Sequence, residues 1–270
     1  MNQLLKLITY ITNAFTMRIS EIRREFSIIS FLFTLVASNC AAQNKDSLAA
    51  SGYHPKAAAF VFPAAFIGYG LVSLAGKNPV RSLDLTTENE LQEDHPLFAA
   101  HADNYLQFAP AAVVFGLHLA GVKTRHRIGD AVGIYLMSIA IMTGSVTAMK
   151  HITKRERPDH SVFNSFPSGH TATVFASAEF LKQEYGEQYP WLEYAGYAVA
   201  TTTGALRMYN NRHWLSDVVA GAGFGILSTK LSYILYPQVR KLINGRHSFA
   251  FNLMPSYRDG KAGFYLCGNF

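Results

Sequence analysis

Long apolar stretches separated by shorter polar ones set the pattern of this chain. Six of them have the length and composition of helices: 57–76, 105–121, 131–149, 170–182, 190–206 and 214–236. The first three contain no Asp, Glu, Lys or Arg, and they approach the roughly 20 residues that a bilayer's hydrocarbon core requires. The last three carry Glu179, Glu193, Asp217 and Lys230, so they read as weaker spans or as helices lining a polar interior. Pro63 and Pro110 should kink their helices or mark helix starts. The segment 77–103 is acidic and polar, with Asp84, Glu88, Glu90, Glu93 and Asp94, and reads as a loop long enough to be a lid or a short surface helix. Near the end the period changes to two. Phe249, Phe251 and Leu253 alternate, Arg258 to Lys261 makes a turn, and Phe264 and Leu266 alternate again, which predicts one β-hairpin. The expected fold is mainly α: a bundle of about six helices, membrane-embedded or membrane-associated, with a short C-terminal β-hairpin. The expected divisions are a signal-like or anchor segment at 1–42, a helical domain at 43–246 and a hairpin tail at 247–270.

The N-terminus changes that picture in one respect. Residues 27–38 are apolar, Arg18, Arg23 and Arg24 precede them, and Cys40-Ala41-Ala42-Gln43 follows with small residues. That is a secretory signal in outline, with Met17 as an alternative start, or else a retained anchor helix. Cys40 stands where a lipoprotein cysteine would, although Asn39 before it is not the small residue such a signal favours. Cys40 and Cys267 are the only cysteines, too few for a disulfide framework and without zinc-ligand spacing.

Composition adds the kind of partner. Apolar residues make up 49% of the chain and charged residues 16%, while mean hydropathy is only +0.09. This suits a helical membrane protein with sizeable loops, or a soluble helical domain that touches a membrane. Net charge is +6 and the pI is near 9.2. There is no clustered basic helix and no base-stacking aromatic pattern, so nucleic acid is not the expected partner. An anionic substrate or an anionic membrane surface is.

Three clusters at predicted helix ends carry the chemistry. They are Lys150 to Pro158, Pro167-Ser168-Gly169-His170, and Arg207 to Asp217. A phosphate ester spreads negative charge over several oxygens, so it calls for fixed cations and amide donors. Lys150, Arg157 and Arg207 are the candidate cations, and arginine's planar fork can engage two oxygens at once. Ser168-Gly169-His170 opens a helix, where backbone N–H groups face outward and glycine lets an anion approach. Asp217 follows His213 by four residues, so in a helix the two would share a face. The carboxylate would then fix the imidazole tautomer and free the other nitrogen for attack. His170 is the candidate general acid. With three cations and helix amides balancing the charge, the chemistry calls for no metal and no cofactor. Lys154 and Arg155 either assist a large anionic headgroup or face water, and His151 and His160 fit no slot in the pattern.

In this combination the clusters resemble the signature of the type 2 phosphatidic acid phosphatase and vanadium haloperoxidase superfamily. The pattern is Lys, six residues, Arg-Pro; then Pro-Ser-Gly-His; then Ser-Arg, five residues, His, three residues, Asp. Every charged and histidine position matches, and Leu206 stands where the pattern has serine. The resemblance implies a helical bundle with the site at one end, His213 as the nucleophile that becomes phosphohistidine, Asp217 orienting it and His170 as general acid. It implies that Lys150, Arg157, Ser168, Gly169 and Arg207 bind the phosphoryl oxygens. Asn210-Asn211 and His213-Trp214, beside a signal-like N-terminus, are further similar to envelope lipid phosphatases of the lipid A phosphatase kind. The expected function is therefore a lipid-phosphate phosphatase of the cell envelope, with lipid A favoured. Undecaprenyl pyrophosphate remains open as substrate, as does a soluble periplasmic acid phosphatase or vanadate haloperoxidase. Lys123, Arg125, Arg127, Lys182, Arg240 and Lys241 fall at the end away from the clusters. By the positive-inside rule the site faces the periplasm, either from the inner membrane or within a periplasmic domain.

Overall fold

The computed structural model describes residues 53, 55–96 and 98–244, and the backbone of 250–258 and 261–269. The expected signal or anchor segment and Cys40 lie outside the described residues. A short 3-10 turn, Ala57–Phe60, leads into helices α1 (Val61–Ser73), α2 (Pro79–Asp94), α3 (Asp103–Leu106), α4 (Ala109–Leu119), α5 (Ile128–Thr153), α6 (Gly169–Tyr185), α7 (Pro190–Tyr209) and α8 (Leu215–Asn244). Beyond them, strands β1 (Ala250–Arg258) and β2 (Lys261–Asn269) pair antiparallel with Arg258 opposite Lys261.

The acidic segment read as a loop is mostly helix. Asn78 caps α2: its side chain accepts the N–H of Arg81 at 2.9 Å, and Pro79 follows at the first helical position, where its missing N–H does no harm. Pro63 and Pro110 both lie in the first turn of their helices, α1 and α4, where no intrahelical donor is required of them. α5 runs past both expected ends. It stops at Lys154, which takes the left-handed conformation (φ 43°) and donates its N–H to Lys150 O at 3.1 Å.

α6 and α8 form the centre. Ala172, Val174, Ala176 and Phe180 of α6 are wholly buried. Two glycines of α8 let the helices approach closely: a Cβ at Gly225 would stand 2.3 Å from Ala172 O, and one at Gly221 would stand 2.6 Å from Ser168 O. Because the obstructing atoms are backbone, a side chain at either position would part the helices. A larger apolar cluster lies towards the end away from Ser168, where Val114 of α4 and Ile134 of α5 meet Phe180, Tyr185 and Tyr233.

The charges that weakened the later stretches as spans are paired within the protein. Lys230 Nζ donates to Glu179 Oε1 at 2.7 Å, and Tyr197 OH also donates to that carboxylate. Glu193 pairs with Lys182. Among the described residues, α5 and Leu215–Leu242 of α8 are long and apolar enough to cross a membrane. The two differ in setting. The α8 window is 67% buried within the protein, whereas the α5 window is only 22% buried. α5 is thus an apolar helix with most of its surface outward, including Leu136 and Ile152.

Candidate active site

The crossing of α6 and α8 builds one end of the bundle into a polar centre. Ser168, the N-cap of α6, donates its backbone N–H to Asp217 O of α8 at 3.0 Å. This joins the second cluster to the third. Gly169 and His170 then open α6, whose first-turn amides have no acceptor within the helix. A Cβ at Gly169 would meet nothing within 4 Å, so protein packing does not demand glycine there. The residue instead keeps the approach to those amides clear. The Ser168 side chain is buried and accepts a hydrogen bond from Thr171 Oγ1 at 2.9 Å. Lys150 arrives on the last turn of α5 and donates to Asn164 O. Arg207 arrives on the last turn of α7.

The electrostatics show that the expected residues share one environment. The His170 pKa is pushed down to about 4, first by burial and then by Arg207, with Arg157 and Lys150 adding to it and Asp103 opposing. The His213 pKa is likewise pushed down to about 4, first by burial, with Asp217 opposing and Lys150 and Arg207 adding. Burial and then Arg207 also lower the Arg157 pKa. Lys150, Arg157, Arg207, His170, His213 and Asp217 are therefore brought together. Both histidines are neutral at pH 7 before any anion arrives. Arg157 Nε and Arg207 Nε are buried without a hydrogen-bond partner among the described residues. Buried donors of this kind are costly unless an acceptor reaches them, and phosphoryl oxygens are such acceptors.

The expected His213–Asp217 pairing needs correction in one respect. Nδ1 of His213 lies 3.7 Å from Asp217 Oδ2, beyond hydrogen-bond reach. The reason is where the helix begins. α8 starts at Leu215, so His213 precedes it, and the helical i, i+4 relation does not hold. Asp217 sits in the first turn and its carboxylate turns back to accept the Trp214 N–H at 3.1 Å. The Ser165 hydroxyl donates to the same oxygen. Asp217 acts on His213 as an adjacent negative charge, with Nδ1 as the nearer nitrogen and Nε2 away from it.

Sequence reasoning missed what holds this centre in place. Arg155 does not face water, since only 8% of its side chain is exposed. Nη1 donates to Asp217 Oδ1 at 2.7 Å, to Ser216 Oγ at 2.8 Å and to Ser73 Oγ at 3.1 Å, and Nη2 donates to Asp84 Oδ2 at 2.6 Å. Asp84, on α2, is wholly buried and also accepts the N–H and hydroxyl of Ser216. One guanidinium thus ties α1, α2 and α8 together behind Asp217. A second tie is Asp103, whose carboxylate accepts from Arg207 Nη1 at 2.6 Å. Burial alone would raise the Asp103 pKa, but the bond to Arg207 brings it below the ordinary carboxylate value. Lys154 and His151 are exposed, and His160 makes an exposed pair with Glu156.

Comparison with known proteins fits this arrangement. Residues 131–241 match the PAP2 superfamily. That segment contains all three clusters, from the helix that carries Lys150 in its last turn to the helix that carries Asp217. The chain is 43% identical over 142 residues to a lipid A 1-phosphatase of Porphyromonas gingivalis, a match covering 50% of this chain and 31% of that protein. It is 32% identical over 124 residues to a lipid A 1-phosphatase of Rhizobium etli, covering 39% of this chain and 50% of that protein. The chain thus spans a third to a half of the length of these curated relatives. A solved structure, the PAP2 type phosphatidylglycerolphosphate phosphatase of Bacillus subtilis, overlays with a TM-score of 0.45 at 18% identity, covering 70% of this chain and 99% of that one.

Burial of His213 has a consequence for stability. Its ordinary pKa is 6.5 and its folded value is about 4. Between those values the unfolded chain binds a proton that the folded site refuses. The stabilising contribution is therefore complete above the unfolded pKa and is lost as pH falls towards the folded one. From pH 7 to pH 5 the loss from this residue is about 2 kcal/mol. Denaturation midpoints at the two pH values should converge in His213→Gln relative to wild type. An equal fall in both proteins would contradict the burial account.

Proposed function

We propose that this chain is a lipid-phosphate phosphatase of the cell envelope that works through a phosphohistidine on His213, with lipid A as the favoured substrate. The observation that carries the reading is the joint placement of His170 and His213 among Lys150, Arg157 and Arg207, at one end of a bundle whose helix α5 turns an apolar surface outward.

The proposed reaction runs in two balanced steps. Arg157, Arg207 and Lys150, with the amides at Gly169 and His170, hold the three non-bridging oxygens of the phosphoryl group. His213, neutral at pH 7, attacks phosphorus through Nε2, the nitrogen away from Asp217. The bond from phosphorus to the leaving oxygen breaks, and that oxygen takes its electron pair and a proton from the His170 imidazolium. His170 acquires that proton when substrate binds, because an arriving phosphate offsets the cations that depress its pKa. Asp217 balances the charge left on His213. Water, deprotonated by the now neutral His170, then attacks phosphorus, the phosphorus–nitrogen bond breaks, and inorganic phosphate leaves.

The substrate class follows from the surroundings and from the relatives. A bundle with an outward apolar surface and a cationic end would admit a phosphorylated headgroup while acyl chains stay in lipid. Both relatives are named for the 1-phosphate of lipid A. A periplasmic site agrees with the excess of Lys and Arg at the opposite end. α4, at 11 residues, is about 16 Å long and does not cross the ~30 Å hydrocarbon core unaided. The proposed domain organisation keeps the helical unit as the catalytic part. Lipid A from cells lacking the gene should carry one phosphate more than lipid A from cells that express it. Identical lipid A mass spectra would rule lipid A out and leave undecaprenyl pyrophosphate as the favoured substrate.

A further inference from the structure

We propose that Asn104 is a positioning residue for His170, and that α3 forms the side of the site where the leaving group sits. This rests on the phosphatase reading above and names a part of the site that none of the three sequence clusters contains.

His170 Nε2 lies 2.9 Å from Asn104 Oδ1. A carboxamide oxygen only accepts, so the ring nitrogen facing it carries the proton. The bond therefore holds His170 with its N–H on Nε2 and fixes the plane of the ring. Asn104 is itself held. Its backbone N–H donates to Asp103 Oδ1 at 3.1 Å, and its carbonyl accepts Gln107 Nε2 at 2.9 Å. The preceding turn is fastened to the phosphate-binding end of α7. Asn210 Nδ2 donates to Ala100 O at 2.7 Å, Ala100 N donates to Asn210 Oδ1 at 2.9 Å, and Arg207 Nη1 donates to Asp103 Oδ2 at 2.6 Å. Two consecutive residues, Asp103 and Asn104, thus grip a phosphate-binding arginine and the general acid.

Chemistry gives this arrangement its direction. In an in-line displacement the nucleophile and the leaving oxygen stand on opposite sides of phosphorus, and the general acid faces the leaving oxygen. The acceptor already bonded to the acid's proton occupies that place. When substrate binds, its leaving oxygen replaces Oδ1 as the acceptor of the Nε2 proton. As the phosphorus–oxygen bond breaks, that proton passes to the leaving oxygen and His170 remains neutral with its other proton on Nδ1. The Asn104 amide, displaced by the width of one oxygen, then lies beside the leaving group.

A general acid matters most when the departing group is a strong base. Alkoxides need the proton, whereas 4-nitrophenolate leaves without it. The test compares a short-chain alkyl phosphate monoester with 4-nitrophenyl phosphate on the full chain in detergent. In Asn104→Ala, kcat on the alkyl ester should fall roughly ten- to a hundredfold, with a loss at least about ten times larger than that on the nitrophenyl ester. His170→Ala should show the same bias, more strongly. Asn104→Asp, which keeps an acceptor oxygen, should recover most of the alkyl-ester rate. Equal losses on the two substrates in Asn104→Ala would overturn the proposal, because α3 would then serve the architecture alone. Unchanged rates on both would overturn it as well. Retention of both activities in His213→Ala would instead overturn the phosphohistidine reading beneath it.

Discussion

His213→Ala is expected to abolish turnover, lowering kcat by at least roughly a thousandfold on any phosphate ester the chain hydrolyses. The size follows from the role. A nucleophile and the groups that serve it act as a unit, so removing the nucleophile costs nearly as much as removing the whole set. His213 is 3% exposed, and His170, the other histidine of the site among the described residues, is held against Asn104. The variant should remain folded at pH 7, because the neutral imidazole makes no hydrogen bond through Nδ1 among the described residues, so alanine leaves no partner of that nitrogen unpaired. Activity is measured against circular dichroism and melting of the same preparation. A folded His213→Ala protein with more than about a tenth of wild-type turnover would contradict the assignment.

Arg155→Ala is expected to destabilise the fold by roughly 3–5 kcal/mol and to lose activity with it. The substitution leaves Asp84 and Asp217, both with wholly buried side chains, without the guanidinium between them. Burying two carboxylates beside one another is far worse than losing one surface pair. Surface cations of the same run offer the contrast. Lys154 is exposed, and Lys154→Ala should change stability by less than about 0.5 kcal/mol. Arg155→Lys retains the charge but not the fork that reaches both carboxylates, so it should fall between wild type and alanine. The readouts are the denaturation midpoint and kcat for all three variants. An Arg155→Ala protein as stable as Lys154→Ala would show that the network does not hold the centre together.

These two residues also mark what the sequence could and could not disclose. His213 was legible because its neighbours fall at the spacings of the three-cluster pattern. The helices were legible because apolar runs of that length have little choice of structure in which to satisfy their backbone. Arg155 was not legible. It lies two residues before Arg157 in a basic run, and spacing does not tell an arginine that points to solvent from one that enters the protein. Asp84 and Asp103 were hidden for the same reason within an acidic stretch, although Asn78-Pro79 is a helix-start signal that would have changed the reading of 77–103. Asp217 does lie beside His213, but not through the helical spacing that the sequence offered, since α8 begins two residues after His213. The position of the first turn of α8 decides whether four residues bring two side chains onto one face.

Neither Asp103 nor Asn104 belongs to the clusters, yet each bonds a residue that does. A site built from four helix ends needs such fastenings, because its members arrive on α5, α6, α7 and α8 with no covalent relation closer than the loops between them. The short α3 and the buried Arg155 supply them, one on His170 and Arg207, the other on the Asp217 carboxylate beside His213.

The central claim is phosphoryl transfer through His213. The direct measurement is brief reaction of the full chain, in EDTA, with a radiolabelled phosphate ester, followed by rapid denaturation. The account predicts protein-bound phosphate that is labile in acid and stable in base, located on the peptide containing His213 and missing from His213→Ala. Turnover of substrate with no label on that peptide, or label that requires an added divalent metal, would contradict it.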